Sequence, residues 1–106
     1  MDPEIIYKGE EGFDMKYSNN GMWGRGIYFA KNARYSDPYG YTTQHNGKSV
    51  RKMILALVNL GEPEIVPESN PKRKQIIAPE KGKDSVKGNT NGSDIYIVYA
   101  NKKAYP

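Results

Sequence analysis

The chain has 106 residues, only 37% of them apolar, which bounds it to one small domain with a thin core or to a piece of a larger domain. It has no cysteine, no apolar run near the roughly 20 residues that span a bilayer, and an acidic start, Met1-Asp2-Pro3-Glu4, so a disulfide framework, a thiolate metal site, a spanning helix and a secretory signal are not expected, and the expected compartment is cytoplasmic or nuclear. The net charge is +4, but Asp2, Glu4, Glu10, Glu11 and Asp14 against Lys8 and Lys16 give residues 1–20 a net of −3, so the rest carries +7, a balance that attracts phosphates such as those of a dinucleotide.

In chain order, Asp2 reads as a helix N-cap with Pro3 at the first helical position, Ile5, Ile6 and Tyr7 as the apolar side, and Gly9 as the stop. Residues 12–26 are rich in Gly, Asn and Ser and read as loop. Residues 26–30 read as a strand. Asn32 caps a short helix from Ala33 to Ser36, which Asp37-Pro38 ends. Residues 40–49 read as a polar connection around an Asn46-Gly47 turn. The run Met53-Ile-Leu-Ala-Leu-Val58 is the longest apolar stretch and predicts a buried central strand. A short strand is expected over 64–66, mostly loop over 68–93 pinned by Ile76 and Ile77, a strand over 95–99, and a turn at Asn101-Lys-Lys. Strands joined by loops and short helices, without long helical crossovers, predict a mainly antiparallel α+β domain. A strand missing from such a sheet leaves an unpaired edge or a gap.

Residues 21–30, Gly-Met-Trp-Gly-Arg-Gly-Ile-Tyr-Phe-Ala, carry the strongest functional signal. Three glycines make a tight loop, a strand bearing Tyr28 starts at once, and Ser36 and Tyr39 follow closely. Two flat rings and a hydroxyl held by a strand and a turn suit a planar heteroaromatic ligand with an amide. The glycine spacing is not that of a dinucleotide fingerprint, and the loop precedes a strand where such a fingerprint follows one. His45 is the sole histidine and reads as a solvated turn residue; no metal site is expected. The clusters Arg51-Lys52 and Lys72-Arg73-Lys74 are short and lack interleaved aromatics, so nucleic acid as a partner is unsupported.

Taken in order, Gly12-Phe-Asp14, the 21–30 block, Tyr35-Ser-Asp-Pro-Tyr39, Lys83-Asp-Ser-Val-Lys-Gly88, Ile95-Tyr-Ile-Val-Tyr99 and Ala104-Tyr-Pro106 resemble the catalytic domain of the poly(ADP-ribose) polymerase family, the diphtheria-toxin-like ADP-ribosyltransferases. The resemblance covers nearly the whole chain. It implies a split antiparallel sheet fold and NAD as substrate, with no metal. It implies nicotinamide sandwiched by Tyr28 and Tyr39, its carboxamide bound by Ser36, and Gly26, Phe29 and Ala30 among the cofactor-contacting positions. Residues 12–26 would be the donor loop and about 82–93 an acceptor-side loop.

Two departures from the family pattern qualify the expectation. Polymerising members carry a glutamate where this chain has Ile95, which can neither bond nor activate a ribose hydroxyl. Asp94 is adjacent but belongs to the opposite strand face. The isoleucine resembles that of members that transfer one ADP-ribose unit, so mono-transfer to protein acceptors is expected, with Tyr28 and position 95 as the catalytic positions. The family's His-Gly-Thr/Ser motif precedes the Gly-Phe-Asp segment and does not occur here, and the sequence stops at Pro106, before the closing strand that usually follows Ala-Tyr-Pro in the family; the resemblance thus implies a catalytic-domain fragment cut at both ends. The alternative is an inactive relative that serves as a protein- or RNA-binding module. Trp23 fits either a donor-loop anchor or a packing residue.

Overall fold

The computed structural model describes residues 3–9 and 12–105; the expected cap Asp2, along with Glu10, Glu11 and Pro106, lies outside them. Helix α1 (Pro3–Lys8) opens the chain. Glu4 on its first turn accepts from Lys8 and from Lys52, each at 3.2 Å, and these two ammonium groups, Lys8 first, hold its carboxyl below the usual range.

The central sheet has five strands in the order β1-β2-β8-β7-β6. These are β1 (Asn19–Gly21), β2 (Gly24–Ala30), β6 (Pro63–Ile65), β7 (Ser85–Thr90) and β8 (Ser93–Val98). All its pairings are antiparallel except β6 with β7. Two small two-stranded sheets accompany it: β3 (Tyr41–His45) with β4 (Lys48–Lys52), and β5 (Leu57–Val58) with β9 (Ala104–Tyr105). The expected α+β, mainly antiparallel class holds. No helix among the described residues is long and apolar enough to cross a membrane.

Successive side chains of β2 point to opposite faces, and each face meets its own core. Tyr28 and Ala30 pack on a cluster of Trp23, Val66, Val86, Ile95 and Ile97. Ile27 and Phe29 pack on Ile6, Phe13 and Ala104. β2 is therefore covered on both sides, which fits its continuous apolar run.

Three expectations need correction. Residues 85–90 are not loop but β7, whose Ser85, Val86, Gly88 and Thr90 are buried. Its composition is polar and includes a glycine, yet it pairs with β8 over Val86–Thr90 and with β6 over Ser85–Lys87, and the Ser85 hydroxyl donates to the Leu60 carbonyl at 2.9 Å. Residues 40–49 are not a bare connection: Asn46 and Gly47, with φ of 51° and 76°, turn the β3–β4 hairpin. His45 is exposed there. Finally, the apolar run 53–58 is no central strand. Ile54, Ala56 and Val58 pack on the second cluster, whereas Leu55 is 95% and Leu57 79% exposed. Only the last two residues pair with a partner strand, β9. An unbroken apolar run implies two covered faces, and here one is covered.

Candidate functional site

The 21–30 block is not a loose loop followed by a strand. Gly21 pairs with Gly24, so Met22 and Trp23 form the turn of a β1–β2 hairpin. Gly24 has φ +82°, and a Cβ there would run into the Ile76 carbonyl oxygen, so only glycine closes this turn without strain.

Trp23, at the tip, folds back onto the sheet and is 1% exposed. Each of its polar groups is bonded. The indole N–H donates to the Val66 carbonyl at 2.9 Å, the backbone N–H to the Tyr28 hydroxyl at 2.8 Å, and the carbonyl accepts from the Tyr99 hydroxyl at 2.5 Å. Tyr28 in turn donates to the Gly24 carbonyl at 2.6 Å. The tyrosine expected to stack on a ligand thus also ties the turn beside it. Burial pushes the hydroxyl of Tyr28 upward, against the opposing effect of the Trp23 N–H, and burial pushes that of Tyr99 further up. Both are held protonated, the form that donates.

Directly across β2 and β8, Tyr28 faces Ile97 and Ala30 faces Ile95. Ile95 therefore lies on the Tyr28 face, at 2% exposure. Asp94 lies on the other face, where it accepts from the Asn89 amide at 2.9 Å and stands 3.8 Å from the Lys87 ammonium. The Asn89 hydrogen bond, helped by Lys87 and Lys31 against some desolvation, lowers its carboxyl. A carboxylate on this strand is present, but turned away. Phe29 is turned away too: it meets Phe13 edge to face at 5.1 Å. Gly26 stays on the Tyr28 side, where a Cβ would meet Ile97 Cγ2 at 2.5 Å.

β2 feeds straight into the second half of the site. The Lys31 N–H continues the ladder to the Asp94 carbonyl, and the Asn32 N–H reaches the Ser93 hydroxyl at 3.3 Å. Asn32 Oδ1 then caps helix α2 (Ala33–Ser36) through the Arg34 N–H, as expected from the sequence. A 3-10 turn over Asp37–Tyr39 follows without a break, and the Ser36 hydroxyl at its start makes no cap hydrogen bond, which leaves it available to a ligand. Tyr39 is 77% exposed. Its ring meets Tyr35, 5.7 Å away and tilted by 37°, rather than Tyr28.

Tyr35 is the link that sequence reasoning passed over. It packs on the same cluster as Tyr28, and burial, followed by the neighbouring Tyr39 hydroxyl, raises its own. Tyr35 and Tyr39 stand four apart, a spacing that brings side chains together across a helical turn, so this signal was present in the sequence. Arg51 on β4 holds the turn from outside, donating to Asp37 Oδ2 at 2.9 Å and to its carbonyl at 3.2 Å.

Residues 10–104 match the poly(ADP-ribose) polymerase catalytic domain family. Over 105 residues, 99% of this chain, the sequence is 33% identical to a probable poly [ADP-ribose] polymerase of Dictyostelium discoideum. The chain spans 28% of that relative's length. With the match running from residue 10 through Ala104, and with Tyr28, Ser36, Tyr39 and position 95 inside it, the chain belongs to the poly(ADP-ribose) polymerase catalytic domain family.

Proposed function

We propose that this chain is part of an NAD-dependent ADP-ribosyltransferase that moves a single ADP-ribose unit to protein acceptors and releases nicotinamide. Family membership supports the transfer chemistry. The observation that carries single-unit transfer is the side chain on the Tyr28 face of β8: it is Ile95, while Asp94 bonds to Asn89 on the opposite face.

On this reading the nicotinamide ring lies against Tyr28 with Tyr39 on its outer side, and the Ser36 hydroxyl fixes the carboxamide. Aromatic contact holds the ring at little entropic cost, and the hydroxyl sets its rotation. The C–N glycosidic bond then breaks with its electron pair passing to the pyridinium nitrogen. That neutralises the leaving ring and leaves oxocarbenium-like character at the ribose carbon. An acceptor carboxylate adds its oxygen to that carbon. It needs no deprotonation, which is consistent with a site whose nearest strand offers isoleucine.

The test is labelling by tagged NAD in the full-length protein. Ser36→Ala and Tyr39→Ala should each abolish it. Unchanged labelling in both would sink the site assignment, and an unmodified protein that labels nothing would leave the binding-module alternative.

A further inference from the structure

We infer that Trp23, seated on Gly88, is a specificity-determining residue: its indole covers position 95 and keeps the side chain there out of reach of any ribose hydroxyl. This rests on the Tyr28 face being the NAD side of the sheet.

The covering follows from register. Gly88 and Ile95 are directly paired across β7 and β8, so a Cβ on Gly88 would point to the face that Ile95 occupies, on the order of 5 Å from the Ile95 Cβ. That Cβ would collide with Cζ2 and Cε2 of Trp23, and Cη2 lies 2.8 Å from it. The benzo edge of the indole therefore fills the space above Gly88, immediately beside Ile95. Exposure agrees: Ile95 and Trp23 are buried together with Val66, Val86 and Ile97. The glycine is the seat. Any side chain at position 88 would displace the indole.

The seal is fastened at three points. The indole N–H is bonded to Val66, and the backbone of Trp23 is gripped by the hydroxyls of Tyr28 and Tyr99. Lifting the indole breaks the Val66 bond and exposes a large apolar surface, so the closed form is strongly preferred. Chain elongation requires a base at position 95 to accept the proton of a ribose hydroxyl as its oxygen attacks the ribose carbon of a second NAD and nicotinamide departs. Beneath Trp23 that base would sit among apolar side chains with no hydrogen-bond partner, and it would be held neutral. Two determinants, not one, thus set single-unit transfer: the residue at 95 and the indole over it.

The experiment uses the full-length protein and has two arms. In the first, the Ile95→Cys variant is treated with iodoacetamide, and alkylation at position 95 is followed by peptide mass spectrometry. We expect modification at least roughly tenfold slower than for an exposed thiol, and a rise of at least roughly tenfold when Trp23→Leu is added. Fast alkylation without Trp23→Leu, or no acceleration with it, overturns the seal. This arm needs no activity, so it stands even if NAD labelling fails and the functional reading falls. In the second arm, tagged NAD reports product length. Ile95→Glu alone should give no chains, and Ile95→Glu with Trp23→Leu should give chains. Chains from Ile95→Glu alone, or a labelling-competent double variant that makes only single units, would overturn the inference while leaving the transferase reading intact.

Discussion

At the Tyr28 end of the candidate site the sheet, the hairpin turn and the core are one object. Trp23 is buried and fully bonded, and Tyr28 and Tyr99 each serve both packing and hydrogen bonding. At the Tyr39 end, a one-turn helix and a 3-10 turn carry an exposed ring and an uncapped serine, steadied by Tyr35 and one ion pair whose side chains are 50% and 55% exposed. The difference teaches how such a site is divided. The inner wall is set by folding, and a ligand meets it as a fixed surface. The outer part has little burial of its own, so a ligand that orders it must supply part of that ordering from its own binding.

The inner wall should break hardest at its centre. Trp23→Ala removes the largest buried side chain of the first cluster and should cost about 3–5 kcal/mol in urea unfolding. Gly88→Ala should reproduce part of that loss by pushing the indole off its seat, on the order of 1–3 kcal/mol. If Gly88→Ala is neutral, the indole has room to move and the wall is softer than its contacts imply.

The hydroxyls of Tyr28 and Tyr99 come next. Tyr99→Phe leaves the Trp23 carbonyl without its donor and should cost about 1–3 kcal/mol. Tyr28→Phe keeps the ring but frees the Gly24 carbonyl and the Trp23 N–H, with a similar loss. Both hydroxyls are raised by burial, so their contribution is fully present below the unfolded value of about 10 and disappears as pH climbs through the raised folded values. Stability measured against pH should therefore fall on the alkaline side, and the two Phe variants together should flatten that fall. An alkaline limb unchanged in the double variant would place the titration elsewhere.

Much of this division was legible in the sequence, because its signals were local. The 21–30 block announced a tight turn before a strand, Asn32 announced the start of α2, and Asp37-Pro38 its end. Alternation along the strand correctly separated Ile95 from Asp94. What could not be read was set by partners distant in the chain. Nothing near Trp23 indicates that it rests on Gly88, and nothing in Ser-Val-Lys-Gly-Asn-Thr marks β7 as a well-buried strand, since its place is decided by β6 and β8. The run 53–58 failed for the opposite reason. Its composition spoke for burial on both faces, but composition does not say what covers a strand, and Leu55 and Leu57 remain outside.

The outer end gives the smallest expected change in stability and the sharpest contrast with the wall. Arg51 reaches from β4 to both the carboxylate and the carbonyl of Asp37, the residue between Ser36 and Pro38. Half-exposed pairs of this kind contribute about 0–1 kcal/mol, so Arg51→Ala should barely move the unfolding midpoint. Its effect should instead fall on the geometry of the turn that holds Ser36 and Tyr39. In the full-length protein that predicts a raised KM for NAD with kcat nearly unchanged, because the loss is of uniform binding rather than of an interaction made only in the transition state. Arg51→Lys keeps the charge but lacks the planar guanidinium, and should restore KM in part. A fall in kcat at unchanged KM would mean that the Asp37 turn takes part in bond breaking itself, and the division between a fixed wall and a ligand-ordered turn would have to be abandoned.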